Sequence, residues 1–192
     1  MMSELLLRHS LDGLGVGEYP LDLRTARFGK PSLANYPGIH FNISHAGRWV
    51  VCAVSSEEVG VDVEQIRSID LAIARRFFAP SEYTTLMSLE AGDRLDFFFR
   101  LWTIKESYLK ALGTGLHKEL SSFCVEICPS GDVSLKDPHG YAKNFKIAEL
   151  FLDNRHKLAL CTSDSPSPYS LTKLEFDDFV RLSEGIGMLR PM

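Results

Sequence analysis

Cysteine is scarce in this sequence: Cys52, Cys124, Cys128 and Cys161 are the only four in 192 residues, and no two form a CxxC pair. That argues against a zinc ribbon, a CxxC redox motif or a disulfide framework as the basis of the fold. Cys124 and Cys128 would share one face of a strand, but two thiols alone make a poor zinc site. Long apolar runs are lacking too, and nothing approaches the roughly 20 residues that a membrane span needs. The stretch Met1 to Arg8 has neither the apolar core nor the small-residue cleavage site of a signal peptide. The expected protein is therefore cytoplasmic, with reduced cysteines and no membrane partner. Positive charge is not in excess: 21 Lys and Arg face 25 Asp and Glu, a net charge of −4. No nucleic-acid partner is expected, and an anionic ligand would need a local cluster of cations. Phosphate-binding glycine loops, kinase glycine loops and nucleophilic triads are missing as well. Gly13, Gly15 and Gly17 mimic a nucleotide loop, but no strand precedes them, so they read as a helix C-terminus.

What is present is an ordinary globular composition, 45% hydrophobic and 24% charged, in a chain long enough to bury a core. Leu5 to Leu14 reads as a short helix. Strands are expected over Leu21–Phe28, Ile39–Ser44, Arg48–Ser55 and Val59–Gln65, with Gly29-Lys30-Pro31 as a turn. From about Asp70 the period becomes helical through Leu71, Ala74, Phe77 and Phe78, and Pro80 starts another helical turn. Asp96 to Leu112 is the clearest helix, with an apolar stripe through Phe97, Leu101, Ile104, Tyr108 and Leu112. Gly113 follows it in the C′ position. Further strands are expected over Ser122–Cys128, Phe145–Leu152, Lys157–Thr162 and Leu171–Phe176. Strands, then helices, then strands imply an α+β fold rather than a doubly wound sheet.

Three segments hold residues suited to chemistry. In Gly60-Val61-Asp62-Val63-Glu64, strand alternation puts Asp62 and Glu64 on one face. Such oxygen ligands suit Mg²⁺, although a solvated acidic face fits the motif equally well. On the long helix, Trp102, Glu106 and Lys110 recur every four residues and line one stripe. They form either a surface ion pair or a third carboxylate with a lysine facing an anion. In Asn42-Ile43-Ser44-His45, Ser44 and His45 point to opposite faces and cannot form a nucleophile–base dyad. A turn at Ala46-Gly47 could free His45 to meet a ligand, and Arg24, Arg27 and Lys30 could join it on phosphate, or all could be simply solvated.

In order, these segments resemble the Sfp-like class of 4′-phosphopantetheinyl transferases. The resemblance rests on Gly29-Lys30-Pro31, Phe41-Asn42-Ile43-Ser44-His45, Gly60-Val61-Asp62-Val63-Glu64, Arg76-Phe77-Phe78 with Glu82, and Phe99 through Leu116. It implies two similar α+β halves related by a pseudo-two-fold axis, residues 1–55 and 56–192, the first abbreviated relative to the family. It implies transfer of 4′-phosphopantetheine from coenzyme A to a serine of an apo acyl or peptidyl carrier protein, with release of 3′,5′-ADP. The shortened first half leaves an alternative, a carrier- or nucleotide-binding protein of weakened turnover. By resemblance, Asp62, Glu64 and Glu106 bind Mg²⁺, and Glu106 also serves as the base. Lys110 assists the leaving phosphate, while Arg27, Lys30, Ser44 and His45 hold the coenzyme. Trp102 packs behind the site, and the protein is a monomer.

Overall fold

The computed structural model describes residues 2–16, 20–26, 28–128, 130–163 and 169–177. Helix α1 (Met2–Asp12) is followed by the short strands β1 (Leu23–Thr25) and β2 (Pro31–Leu33), then by β3 (His40–Ala46), β4 (Trp49–Ser55) and β5 (Val59–Gln65). Helices α2 (Ala72–Phe77), α3 (Pro80–Ser88) and α4 (Arg94–Leu112) come next. Strands β6 (Cys124–Ile127), β7 (Val133–Lys136), β8 (Phe145–Leu150) and β9 (His156–Ser163) complete the described elements, with 3₁₀ turns between some of them.

All pairings are antiparallel: β1 with β2, β3 with β4, β6 with β7, and a three-stranded sheet ordered β5-β9-β8. In that sheet Asp62 lies opposite Ala159 and Gln65 opposite His156. Val59 to Val63 are buried on both faces, so β5, although the outer strand of its sheet, is covered and not solvated.

Helix α4 lies against β5 and β9. It ends at Gly113, whose φ of 67° is the left-handed geometry of a helix stop. Pro80 opens α3, where its missing N–H costs nothing. The Glu82 carboxylate reaches back to accept the Ala79 N–H at 2.7 Å.

Apolar residues gather in three clusters. Leu7, Leu11, Leu33 and Phe41 form one beneath α1. Phe78, Leu86, Phe98, Ile104 and Tyr108 belong to a larger one around α4. Val61, Val63 and Leu158 pack against Trp49, Val51 and Ala53, joining the β3–β4 hairpin to the three-stranded sheet.

Several expectations are corrected in detail. The helix expected over 5–14 starts and ends earlier, and the strand expected over 21–28 shrinks to β1. Strands β2 and β7 were not foreseen. No strand forms over 171–176: that stretch is unpaired chain that turns helical at its end, with Leu171 and Phe176 more than half exposed. Among the described residues, no helix is long and apolar enough to cross a membrane.

Candidate active site

The site is built where β3, β5 and α4 meet, and Gly60 explains how close they come. A Cβ at Gly60 would stand 2.1 Å from the Ser107 carbonyl oxygen and 2.2 Å from the Ala111 nitrogen. Both are backbone atoms that cannot rotate away, so only glycine lets the turn carrying Lys110 rest directly on β5. As a result Lys110 Nζ donates to Asp62 Oδ1 at 2.6 Å. It also lies 2.9 Å from Ser44 Oγ, which in turn donates to Asp62 Oδ1 at 2.9 Å.

Asp62 is only 3% exposed, which removes the reading of a solvated acidic face. Burial pushes its carboxyl above the ordinary range, and Lys110, Ser44 and the Val63 amide only partly offset that. Its second oxygen, Oδ2, is buried with no hydrogen-bond partner. Glu64 and Glu106 are half-buried and also shifted upward. For Glu64 burial acts first and the Asp62 charge second, opposed by Arg67, by Lys110 and by a hydrogen bond from Trp102. For Glu106 the order is burial and then Asp62, with Lys110 opposing and Glu64 adding to the rise. The three carboxylates therefore lie within electrostatic reach of one another.

They do not form a ready-made cage: among the described residues, no group of three or more His, Cys, Asp or Glu is arranged to hold a metal ion. The ammonium of Lys110 instead sits on Asp62. Even so, an orphaned carboxylate oxygen beside two further raised carboxylates is a donor set that fits a hard divalent cation, because such oxygens are costly to bury without a positive partner.

The other expected residues are placed as follows. Ser44 joins Asp62 and Lys110. His45 lies on β3, exposed and on the opposite face from Ser44, one residue before the end of the strand at Ala46. Lys30 turns toward Glu58 Oε2 at 2.7 Å and the Ala111 carbonyl at 2.9 Å, which ties it to the end of α4. Arg24 is exposed and faces Asp22 at 3.3 Å, and Arg27 lies outside the described residues. Trp102 does pack as expected, stacked on Phe98 with centroids 5.7 Å apart and edge-on to Phe77 at 5.6 Å. The contact of its indole with Glu64 is an addition.

Two features escaped the sequence reading. Arg67 beside Glu64 was not singled out, although its place just beyond the acidic strand was a usable signal. Lys105, within the same motif as Glu106, is fully buried. It bonds Glu82 Oε1 and the Phe123 carbonyl, each at 2.7 Å, and stands 4.2 Å above the Phe123 ring. It braces α3, α4 and the start of β6 and does not face the site. From Glu64 an open groove of about 720 Å³ runs between α2 and α4, lined by Arg67, Ile73, Arg76, Phe77 and Trp102.

Residues 58–172 match the 4′-phosphopantetheinyl transferase superfamily. The chain is 36% identical over 168 residues to the 4′-phosphopantetheinyl transferase Sfp of Bacillus subtilis (strain 168), an alignment covering 85% of this chain and 75% of that one. It is also 36% identical over 184 residues to the 4′-phosphopantetheinyl transferase gsp of Aneurinibacillus migulanus, covering 95% and 76%. Among solved structures, a holo-(acyl-carrier-protein) synthase from Bacillus anthracis in complex with CoA (3′,5′-ADP) superposes with a TM-score of 0.46 at 18% identity. That superposition covers 56% of this chain and 96% of the synthase.

Proposed function

Because the chain belongs to the 4′-phosphopantetheinyl transferase superfamily, as an Sfp-like member that transfers phosphopantetheine to carrier proteins, we propose that Asp62, Glu64 and Glu106 hold the Mg²⁺ ion of that reaction. The supporting observation is the buried, unpartnered Oδ2 of Asp62 beside two carboxylates pushed upward first by burial and then by the Asp62 charge. When bound, the ion neutralises charge on the coenzyme A pyrophosphate and on the phosphoryl group in transfer.

The chain's own residues supply the remaining parts. Glu106 is the base that takes the proton of the carrier serine. Lys110 meets the departing 3′,5′-ADP phosphate with its ammonium. Ser44 orients Asp62 and Lys110 and adds a hydroxyl contact to the coenzyme. His45, Lys30 and Arg27 take the coenzyme's phosphates; in doing so Lys30 exchanges Glu58 for a phosphate. Trp102 holds Glu64.

The groove beside Glu64 is where the carrier approaches. Its apolar floor and the cations Arg67 and Arg76 suit an acidic, amphipathic helix. Residues 1–55 and 56–192 form two subdomains, a division supported by the separate clusters under α1 and around α4. The protein acts as a monomer in the cytoplasm, in keeping with four unpaired cysteines. The alternative of a weakly active binding protein draws no support from the relatives, which are named as transferases.

The test is incubation of apo carrier protein with coenzyme A and Mg²⁺, read by mass. Gain of one phosphopantetheine is expected from the native chain, and its loss from Asp62→Ala and from Glu106→Gln, both still folded. Full activity in both variants overturns the metal assignment.

A further inference from the structure

Strand β5 has two differently built edges. One pairs with β9 through the main chain along its whole length. The other faces β3, which lies in a separate sheet, and there the amides find side chains instead of backbone. Asn42 Oδ1 accepts the Val61 N–H at 2.9 Å, and Ser44 Oγ accepts the Val63 N–H at 3.3 Å. Asn42 and Ser44 are two residues apart on β3 and so share a face. Together they form a side-chain ladder with two rungs, and Asp62 lies between the residues they grip.

The rungs are unequal. The Ser44 hydroxyl has one proton, given to Asp62, and its oxygen is shared between Lys110 and a long contact to Val63. Asn42 is 7% exposed and directs its carbonyl oxygen at Val61 at an ordinary distance. A flipped amide would set two donors face to face, so only one orientation of Asn42 works. Asn42 is therefore the firmer of the two rungs that set β5 against β3.

We propose that Asn42 is a positioning residue for transfer. By anchoring the Val61 amide it holds the Asp62 carboxylate at the height where Ser44 and Lys110 meet it, without touching either substrate. This rests on the reading of Asp62 as a metal ligand.

The experiment compares Asn42→Leu, close to asparagine in size but lacking the acceptor, with the native chain across a Mg²⁺ titration. Asp62→Ala is run beside it, and amide exchange at Val61 is measured in the native protein. Expected for Asn42→Leu are a fall in kcat of about 10–100-fold and a comparable rise in the Mg²⁺ needed for half-saturation, as for residues that orient metal ligands. The KM values for coenzyme A and carrier should stay within about 2-fold, because binding of the substrates themselves is untouched. Val61 should be protected from exchange as well as the amides bonded to β9.

If kcat and Mg²⁺ demand hold within about 2-fold, or if only the folded fraction falls while turnover per folded molecule is kept, the proposal is overturned. Should Asn42→Leu fail to fold, protection of Val61 decides: rapid exchange overturns the proposal and protection supports it. An inactive Asp62→Ala beside a normal Asn42→Leu sinks this inference alone, whereas a fully active Asp62→Ala sinks it together with the metal assignment.

Discussion

Gly60 and Ser107 are in backbone contact: a methyl group on the glycine would stand 2.1 Å from the serine carbonyl oxygen. Helix α4 therefore has one permitted height above the acidic strand. Lys110, three residues beyond Ser107, meets Asp62 because of it.

Gly60→Ala tests that contact. Because the obstructing atoms are backbone, relief requires moving α4 as a whole, and a loss of at least the ~1–3 kcal/mol typical of overpacking is expected. Urea denaturation should show the drop in midpoint. Transfer per folded molecule should fall as well, since Lys110 no longer reaches Asp62. A variant of native stability and activity would refute the contact.

The raised carboxylates give a pH prediction with a definite sign. For Asp62, Glu64 and Glu106 the folded protein binds protons more tightly than the unfolded chain. Stability without divalent ions should therefore fall as pH rises from the ordinary carboxylate range through their raised values, then level off. Melting temperatures in chelator across that range check the slope. Glu106→Gln should melt higher than the native chain at neutral pH without metal, while transfer drops by about 10²–10⁴-fold as expected for loss of a general base.

The Lys105–Glu82 pair should behave as a structural staple. Lys105→Met leaves a buried carboxylate unpaired and should cost about 3–5 kcal/mol. Pairing it with Glu82→Leu should not restore native stability, because Glu82 also accepts the Ala79 and Val125 amides. Each orphaned amide costs roughly 1–3 kcal/mol. Chemical denaturation of the two single variants and the double variant separates the terms.

Trp102→Phe keeps a ring for Phe77 and Phe98 but removes the indole donor from Glu64. Stability should fall by about 1 kcal/mol, because the smaller ring leaves space beside Phe77 and Phe98 at a half-buried position. Transfer should fall several-fold, by kcat rather than by carrier KM. Steady-state kinetics decide it.

Arg76→Glu probes the groove. Its guanidinium lies 5.2 Å from the Phe77 ring centroid at the groove's wall. Reversing the charge should raise carrier KM by about 10-fold, the equivalent of 1.4 kcal/mol, with coenzyme A KM unchanged. An unchanged carrier KM would place the docking surface elsewhere.

Much of this arrangement was legible before the structure. The alternation through Val59–Gln65 marked β5, the apolar stripe with Gly113 marked α4, and the four-residue steps of Trp102, Glu106 and Lys110 placed them on one side. What stayed hidden depended on the third dimension. Strand β7 is four residues long and gains its shape from β6, and β2 begins at a proline that no strand pattern favours. Leu171–Phe176 alternates acceptably but has no partner strand among the described residues. Lys110 was marked by its four-residue steps, whereas nothing on paper marked Lys105 for burial. Lys105 is buried under Phe123 and Lys110 reaches the site, a difference set by which elements pack over each face of α4.

Lys30 has a consequence beyond its own position. Its ammonium is divided between a surface acid and the Ala111 carbonyl, one residue after Lys110. Displacing that charge would also release a bond to the last turn of α4. The Gly-Lys-Pro turn and the backbone beside Lys110 thus share a single fastening.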